Sequence, residues 1–379
     1  MKRRGKIALL LFCFQLLHLF SFTAVKAAPA VSAQAAAVID VESGRILYQK
    51  QGNERMRIAS LTKIMTAIVA IEEGDLKKLV TTPGYAVGTE GSSIYLREGE
   101  KLSLEHLLYG LMLRSGNDAA VTIADHIGGS LEGFARLMNE KAEYLGLSGT
   151  HFTNPHGLDD SNNHYSTAVD VAKLTAYALH NPDFQKIVAT NIINIPQEGQ
   201  EWDRRLINKN KMLRLYDGAD GVKTGYTKLA KRCLVSSATR DGRQIAVVTL
   251  NAPNDWDDHT RLLNYGFQNF TQVEIVEGNQ KVDESNNLYT VNSFSYPLTE
   301  DEKNRIRHEI VMENPLKRIL PGGVAGYLHL YLDNQRIGKI GLVSKKVEPD
   351  QTTFQTFSEE STSWQRILSL VKSMVWGGM

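Results

Sequence analysis

The sequence predicts a mixed α/β domain, followed by a smaller and mostly β domain and then by an amphipathic tail helix. Three patterns support this architecture. Up to about residue 270, apolar runs long enough for helices alternate with short strand-like runs. After Phe270, short stretches alternate apolar and polar residues, as half-buried strands do. The last segment, residues 364–376, repeats apolar residues at helical spacing.

The chain has 379 residues, 42% of them hydrophobic and 22% charged, which suits two or three globular domains. Residues 1–27 carry five Lys and Arg and no acid, around an apolar run that ends in small residues. This order is typical of a secretory signal peptide cleaved after Ala27, with a retained membrane anchor as the alternative. Cleavage takes the net charge from +1 to about −4, so the charge does not indicate a nucleic-acid partner.

The two cysteines exclude a disulfide framework. Cys13 lies within the predicted signal peptide, so Cys233 is alone in the mature chain. Its neighbours Leu234 and Val235 predict a buried thiol on a strand.

Residues 28–270 are predicted as the α/β domain, with helices recognised by apolar periodicity and caps, and strands by short apolar runs between turns. Ser103 and Thr167 stand where a side chain caps a helix N-terminus. The predicted elements, in chain order, are strands at 35–40 and 44–48, a helix that carries Ser60 and runs to about residue 73, short strands and loops over 75–101, helices at 104–113, 119–127, 131–145 and 168–180, strands at 233–238 and 244–250, and a helix near 257–270.

Residues 271–347 are predicted as the mostly β domain. Its clearest strand is residues 326–332, where leucines alternate with Tyr and His. A turn at 333–335 leads into a second strand at 336–343.

The chain ends in a predicted polar linker, residues 348–363, and a predicted helix, residues 364–379. On a helix, Trp364, Ile367, Leu368, Val371 and Val375 share one stripe, with the cations off it. Two tryptophans and this stripe indicate a helix that lies on a membrane surface. Docking of this helix on the β domain is the alternative.

Three short motifs carry the chemistry. Ser60 and Lys63 lie one helical turn apart, which puts a hydroxyl beside an amine. The sequences Ser115-Gly-Asn117 and Lys223-Thr-Gly225 follow in that order, and together the three match the penicillin-recognising set. A second Ser-x-x-Lys at residues 369–372 is not followed by the other two motifs and is interpreted as chance.

Each motif residue has a predicted role. Ser60 is the acyl-ester nucleophile and Lys63 its general base, with a pKa lowered by burial and by the charge of Lys223. Ser115 relays a proton to the leaving amine.

The remaining predicted site residues bind substrate: Asn117 bonds a substrate peptide group, Lys223 and Thr224 hold a carboxylate, and Gly225 lets the substrate backbone lie against the strand. The backbone N–H groups of Ser60 and Tyr226 form the oxyanion hole. The alternative for these motifs is ordinary helix capping and a strand-opening turn.

The chain resembles the D-alanyl-D-alanine carboxypeptidases, the low-molecular-mass penicillin-binding proteins of serine peptidase type. The matching phrases lie at residues 57–66, 110–120, 154–158 and 221–227, and the similarity is strongest over about 30–270. Residues 226–232 and 254–259 further resemble the sporulation-specific member of spore-forming bacilli, which acts on cortex peptidoglycan.

The resemblance implies a fold with a central antiparallel sheet flanked by helices. It implies removal of the terminal D-Ala from peptidoglycan pentapeptide stems through an acyl-enzyme, without a cofactor, and acylation by β-lactams. It also implies an exported, extracytoplasmic protein held at a membrane, such as the forespore outer membrane, by its C-terminal helix. Relatives often place an Arg after the strand that follows Lys-Thr-Gly; here Asp257, Asp258 and His259 stand there, and Arg261 is the candidate.

Four alternatives stay open at this point. A class A β-lactamase would need a Glu four residues before Asn154, and the chain has Thr150 there. A D,D-endopeptidase or transpeptidase would share the predicted residues, and a non-enzymatic β-lactam sensor would bind penicillin without releasing D-Ala. A metal site would draw on His151, His156, Asp159, Asp160 and His164, whose spacing fits no helical ligand pair.

Overall fold

The structure, a computed structural model, describes residues 28–283, 287–313 and 324–343. The chain divides into two compact units, Met1–Gln268 and Asn269–Met379. The predicted signal peptide, linker and tail helix lie outside the described residues. Within the described ranges, no helix is both long and apolar enough to cross a membrane.

The first unit is built on a five-stranded antiparallel sheet with the order β2-β1-β9-β8-β7. All six residues of β1 are buried, because helices pack on the sheet and apolar residues fill both faces of the strand. The first and last parts of the unit meet where Ala37 pairs with Val248. The strands are β1 (Ala35–Asp40), β2 (Ile46–Lys50), β7 (Ala219–Thr227), β8 (Lys231–Arg240) and β9 (Arg243–Leu250).

Helices flank this sheet, as predicted. The side chain of Ser103 accepts a hydrogen bond from the His106 N–H, and Thr167 caps its helix in the same way on Asp170. The helices are α1 (Lys63–Glu73), α2 (Leu104–Leu113), α3 (Asn117–Gly128), α4 (Leu131–Tyr144), α5 (Ala168–Leu179), α6 (Pro182–Ala189), α7 (Met212–Leu215) and α8 (Asp255–Asn269).

Two small antiparallel hairpins complete the first unit: β3 (Leu79–Thr81) with β4 (Lys101–Ser103), and β5 (Ile192–Ile195) with β6 (Arg204–Ile207). A buried ion pair joins them, because Arg204 Nη1 lies 2.9 Å from Glu100 Oε1 just before β4. Their side chains are 8% and 3% exposed, so this contact is part of the packed interior.

The second unit is mostly β, as predicted. Its main sheet has the order β11-β12-β16-β15-β14, and β10 pairs with β13 separately. Leu328 and Leu330 on β15 are buried in the unit's own apolar cluster, which confirms the predicted alternation. The strands are β10 (Thr271–Val276), β11 (Lys281–Asp283), β12 (Leu288–Thr290), β13 (Phe294–Leu298), β14 (Ile306–Met312), β15 (Val324–Leu332) and β16 (Gln335–Val343).

Candidate active site

Ser60 lies on a tight 3-10 turn, Ala59–Thr62, immediately before α1. The predicted Ser60 helix therefore starts as this 3-10 turn and is α-helical from Lys63 to Glu73. The first residue of the turn, Ala59, has a left-handed conformation, and its φ of +48° is unfavourable for a residue with a side chain. This backbone leaves Ser60 half-buried at a cleft while its neighbours Ala59 and Leu61 are buried.

The amine of Lys63 is fully buried and lies in contact with Ser60. Its Nζ is 3.0 Å from Ser60 Oγ, 2.6 Å from Asn117 Oδ1 and 2.6 Å from the His156 carbonyl oxygen. Burial lowers the pKa of Lys63 well below its ordinary value, and the positive charges of Lys223 and Lys209 lower this pKa further.

The neutral form of Lys63 fits this set of contacts. A neutral amine has two N–H bonds and one lone pair. The two short contacts, to Asn117 and to the His156 carbonyl, satisfy the two N–H bonds. The lone pair then faces Ser60 Oγ at 3.0 Å and can accept its proton.

Ser115 and Asn117 occupy the junction between α2 and α3. Ser115 has a φ of +63° and lines the same cavity as Ser60. Asn117 is the first residue of α3, and its carboxamide is bonded at both ends, because its Nδ2 donates to the Glu90 carbonyl at 2.5 Å. In this structure the Asn117 side chain orients Lys63, and its contact with a substrate peptide stays a prediction.

The Lys223-Thr224-Gly225 motif lies on β7, at one edge of the sheet. Lys223 is buried, and its Nζ donates to the Thr224 carbonyl at 2.8 Å. Burial and the charge of Lys209 lower the pKa of Lys223 to about 7. A Cβ at Gly225 would lie 3.2 Å from the Ser60 nitrogen, so glycine lets this strand approach the nucleophile closely.

These motifs border one cavity of about 480 Å³. Its lining includes Ser60, Ser115, Thr224, Gly225 and Tyr226, so both residues predicted to supply oxyanion donors are on its wall. The remaining predicted residues, Lys63, Asn117 and Lys223, are buried, and Lys63 contacts both Ser60 and Asn117.

The prediction that Arg261 is an additional carboxylate-binding cation is wrong. Arg261 donates to the Ala30 carbonyl and does not line the cavity. Lys209, Lys211 and Arg232 line it instead, and Arg232 is held by Asp255 at 2.8 Å. The pairing of β7 with β8 and the course of the loop before α7 bring these three cations to the cavity. The sequence pattern indicates neither feature.

The loop at residues 153–164 supports Lys63, a role that the sequence reasoning missed. Its backbone carbonyls at Pro155 and His156 accept bonds from Thr66 and Lys63. Asn154 Oδ1 holds the loop in shape by accepting from the Gly157 N–H at 2.7 Å. The phrase at residues 154–158 was visible as part of the resemblance, but nothing in it indicates that its carbonyls bind a lysine.

The metal alternative finds no matching geometry. Across residues 28–283, 287–313 and 324–343, no group of three or more His, Cys, Asp or Glu side chains could hold a metal ion. Burial lowers the pKa of His156 to about 3 and that of His164 to about 4. Both rings make hydrogen bonds within the protein.

The sheet, the Ser–Lys pair and the edge strand beside it define a serine-type enzyme of the penicillin-recognising class. A family model described as D-alanyl-D-alanine carboxypeptidase matches residues 22–254, and one described as the C-terminal domain of penicillin-binding protein 5 matches residues 267–349. The chain therefore belongs to the D-alanyl-D-alanine carboxypeptidase family.

Individual relatives agree with this assignment. The D-alanyl-D-alanine carboxypeptidase DacF of Bacillus subtilis is 32% identical over 335 residues, which are 83% of this chain and 85% of that protein. The structure of penicillin-binding protein 5 from Haemophilus influenzae is similar with a TM-score of 0.70 and 27% identity, covering 84% of this chain and 97% of that one. A mutant of the Streptomyces K15 DD-transpeptidase has a TM-score of 0.60 and 34% identity, covering 64% of this chain and 100% of that one.

Proposed function

We propose that this protein is a serine-type D-alanyl-D-alanine carboxypeptidase that removes the terminal D-Ala from peptidoglycan pentapeptide stems. The observation that carries the proposal is the buried Lys63 amine, whose Nζ lies 2.6 Å from each of two protein oxygens and 3.0 Å from Ser60 Oγ. An uncharged Lys63 amine can take the Ser60 proton, and this prepares Ser60 to attack a carbonyl. The family supports D-Ala-D-Ala as the substrate.

Acylation proceeds by transfer of the Ser60 hydroxyl proton to Lys63 as Oγ bonds to the carbonyl carbon of the penultimate D-Ala. The developing oxyanion accepts hydrogen bonds from the backbone N–H groups of Ser60 and Tyr226. The C–N bond then breaks, and the leaving D-Ala amine takes a proton by way of Ser115. A water molecule next attacks the ester carbonyl, which releases the shortened stem and returns a proton to Ser60 Oγ.

Substrate orientation follows from the edge position of β7. An extended peptide can lie beside Gly225 because no side chain separates the strand from Ser60. The terminal carboxylate then lies near Thr224 and the cations of the cavity, with Lys223 below. β-Lactams react as analogues of this peptide, since opening of their ring leaves the acyl group on Ser60.

The setting of the activity is part of the same proposal. We propose export through the cleaved signal peptide at residues 1–27 and attachment to a membrane surface, such as the forespore outer membrane, by residues 364–379. The likeness to the DacF protein of Bacillus subtilis and the phrases at 226–232 and 254–259 support maturation of spore cortex or cell wall.

A second candidate, D,D-endopeptidase or transpeptidase action on crosslinked stems, is favoured by one observation. The Streptomyces K15 protein, whose whole length this chain covers, carries the name DD-transpeptidase. The two activities would use the same nucleophile and differ in the leaving group or the acceptor.

The test compares three substrates with the mature protein: a pentapeptide stem, a crosslinked dimer of stems and labelled penicillin. We expect free D-Ala from the pentapeptide and a stable penicilloyl adduct, both abolished in Ser60→Ala. Cleavage of the dimer in preference to the pentapeptide would replace the carboxypeptidase assignment with the endopeptidase one. Turnover of penicillin without an adduct would contradict both.

A further inference from the structure

His164 is a buried, titratable side chain that the proposed reaction does not use. It lies at the end of the loop at residues 153–164 and is 3% exposed. Both ring nitrogens have partners: Nδ1 lies 3.1 Å from the Thr153 nitrogen, and Nε2 lies 2.8 Å from Thr62 Oγ1. The second contact reaches the 3-10 turn that carries Ser60.

The contact between the Thr153 N–H and His164 Nδ1 determines which group donates in each of these hydrogen bonds. The Thr153 backbone N–H can only donate, so His164 Nδ1 is the acceptor and Nε2 carries the hydrogen, and the Thr153 hydroxyl, 3.2 Å from Nδ1, is a second donor to the same nitrogen. Nε2–H therefore donates to Thr62 Oγ1. The Thr62 hydroxyl then donates its own hydrogen to the Ala59 carbonyl oxygen, at 2.9 Å. The chain of bonds ends on the carbonyl of the residue before the nucleophile.

The Ala59 carbonyl belongs to the same peptide unit as the Ser60 N–H. In a planar trans peptide the C=O and N–H bonds point in opposite directions, so fixing one aims the other. Ala59 has a φ of +48°, a conformation that needs support from its surroundings. Gly157 packs so closely on the carbonyl that a Cβ there would lie 1.9 Å from the oxygen. On the opposite side, the Ser60 nitrogen faces Gly225.

We propose that His164 is a positioning residue that acts through Thr62 to aim the Ser60 backbone N–H into the oxyanion site. This inference rests on the proposed acyl-enzyme function. Its effect falls on the transition states of acylation and deacylation, because both place an oxyanion on this N–H. Noncovalent binding of the substrate does not depend on it.

The neutral state of His164 is available at physiological pH. Burial lowers its pKa to about 4, and His151, Arg57 and Lys63 add to this effect while Asp159 opposes it. The acceptor at Nδ1 and the donor at Nε2 are therefore both present where the enzyme works.

The test measures rate constants for acylation and deacylation by labelled penicillin, together with the noncovalent binding constant. Thr62→Val removes the hydroxyl at nearly constant volume, and His164→Leu removes the ring donor. We expect each to slow both chemical steps by about 10- to 100-fold with noncovalent binding unchanged. The double variant should be no slower than the slower single one, since both substitutions break the same chain. His164→Gln, which can restore a donor to Thr62, should recover most of the rate.

His259→Leu is the matched control. His259 is also fully buried and neutral, with its nitrogens bonded to the hydroxyls of Ser236 and Thr249, but it contacts strands β8 and β9 and not the Ser60 turn. It should lower thermal stability without slowing acylation of the folded protein.

Unchanged rate constants in Thr62→Val would overturn the positioning role, and so would equal slowing by Thr62→Val and His259→Leu. If His164→Leu does not fold, Thr62→Val and His164→Gln still decide the question. Failure of the wild-type protein to form any adduct would instead contradict the proposed function, so the two failures are distinguishable.

Discussion

At the scale of single residues, the contacts of Lys63 decide how the site works. Its amine lies among three oxygens and near two other lysines, whose charges lower its pKa, while the charge of Asp118 opposes them. Such surroundings favour the uncharged amine, which is the form that can act as a base. The pH dependence of acylation should therefore report the charge on Lys63.

Lys223→Gln is expected to shift that dependence to higher pH. The charge of Lys223 lowers the pKa of Lys63, so its removal raises that pKa and the acid limb of the rate profile moves to higher pH. The measurement is the penicillin acylation rate constant between pH 4 and pH 9, with Lys211→Gln as the control, since Lys211 lines the cavity without contributing to this pKa. A limb that stays in place would refute the coupling of the two lysines.

Short sequence motifs identified the residues of the site but not the residues that hold them in position. Ser60 and Lys63 are three positions apart, and Ser115 and Asn117 two, so spacing alone groups them. His164 reaches Thr62 across 102 positions, and its ring is satisfied by a backbone N–H that no residue type specifies. Arg261 was misjudged because its direction depends on how α8 packs, not on its distance from β9 in the sequence.

At the scale of elements, the two small hairpins of the first unit are joined by the buried Arg204–Glu100 pair. Removing one partner leaves the other charge buried and unpaired, which costs far more than breaking an exposed pair. The Lys186–Glu105 pair, 62% and 33% exposed, offers a comparison within the same unit.

Glu100→Gln should destabilise the first unit by about 3 to 5 kcal/mol, whereas Glu105→Gln should cost about 1 kcal/mol or less. The measurement is urea unfolding followed by loss of penicillin acylation, which reports this unit. Similar midpoints for the two variants would show that the buried pair contributes little to stability.

The predicted elements were recovered where local signals agree. Strand β1 and helix α2 have the expected limits, because a continuous apolar run defines the first and a Ser103 cap the second. Helix α6 was missed although Asn181 caps it and Pro182 occupies its first position. Strands β5 and β6 were also missed, since they are short and half-exposed, and only their pairing with each other defines them.

At the scale of the whole molecule, three buried histidines link stability to pH. Burial lowers the pKa of His156 and His259 to about 3 and that of His164 to about 4. Below about pH 6.5 the unfolded chain binds protons at these positions and the folded chain does not. Their contribution is therefore fully present above pH 6.5 and is lost as the pH falls toward 4.

We expect the free energy of unfolding to fall on acidification over this window, with each histidine adding up to about 1.4 kcal/mol per pH unit. Chemical unfolding at pH 7, 6 and 5 measures the slope. His259→Gln removes one of these histidines, so the dependence of the unfolding free energy on pH should become less steep, whatever the effect on stability at pH 7. Parallel curves for the variant and the wild type would contradict this account.

The first unit should also function without the second. The match to the Streptomyces K15 structure includes 100% of that protein but only 64% of this chain. A chain that ends after Phe270 should therefore fold and form the penicillin adduct at a rate within about threefold of the full chain. Its Ser60→Ala form controls for nonspecific labelling. A truncated chain that folds but does not react would show that the second unit completes the site.

The pairing of β1 with β9 also sets when the enzyme can become active during its own folding. Ala37 must find Val248, so the central strands assemble only after nearly the whole first unit is available. Strand β7, which supplies Gly225 and Tyr226, joins this sheet through β8. A chain with its helices formed but its sheet incomplete has Ser60 and Lys63 but lacks the donor that Tyr226 supplies to the oxyanion. Covalent labelling by penicillin therefore reports completed folding of the first unit. A time course of labelling during refolding would measure how fast the central sheet assembles.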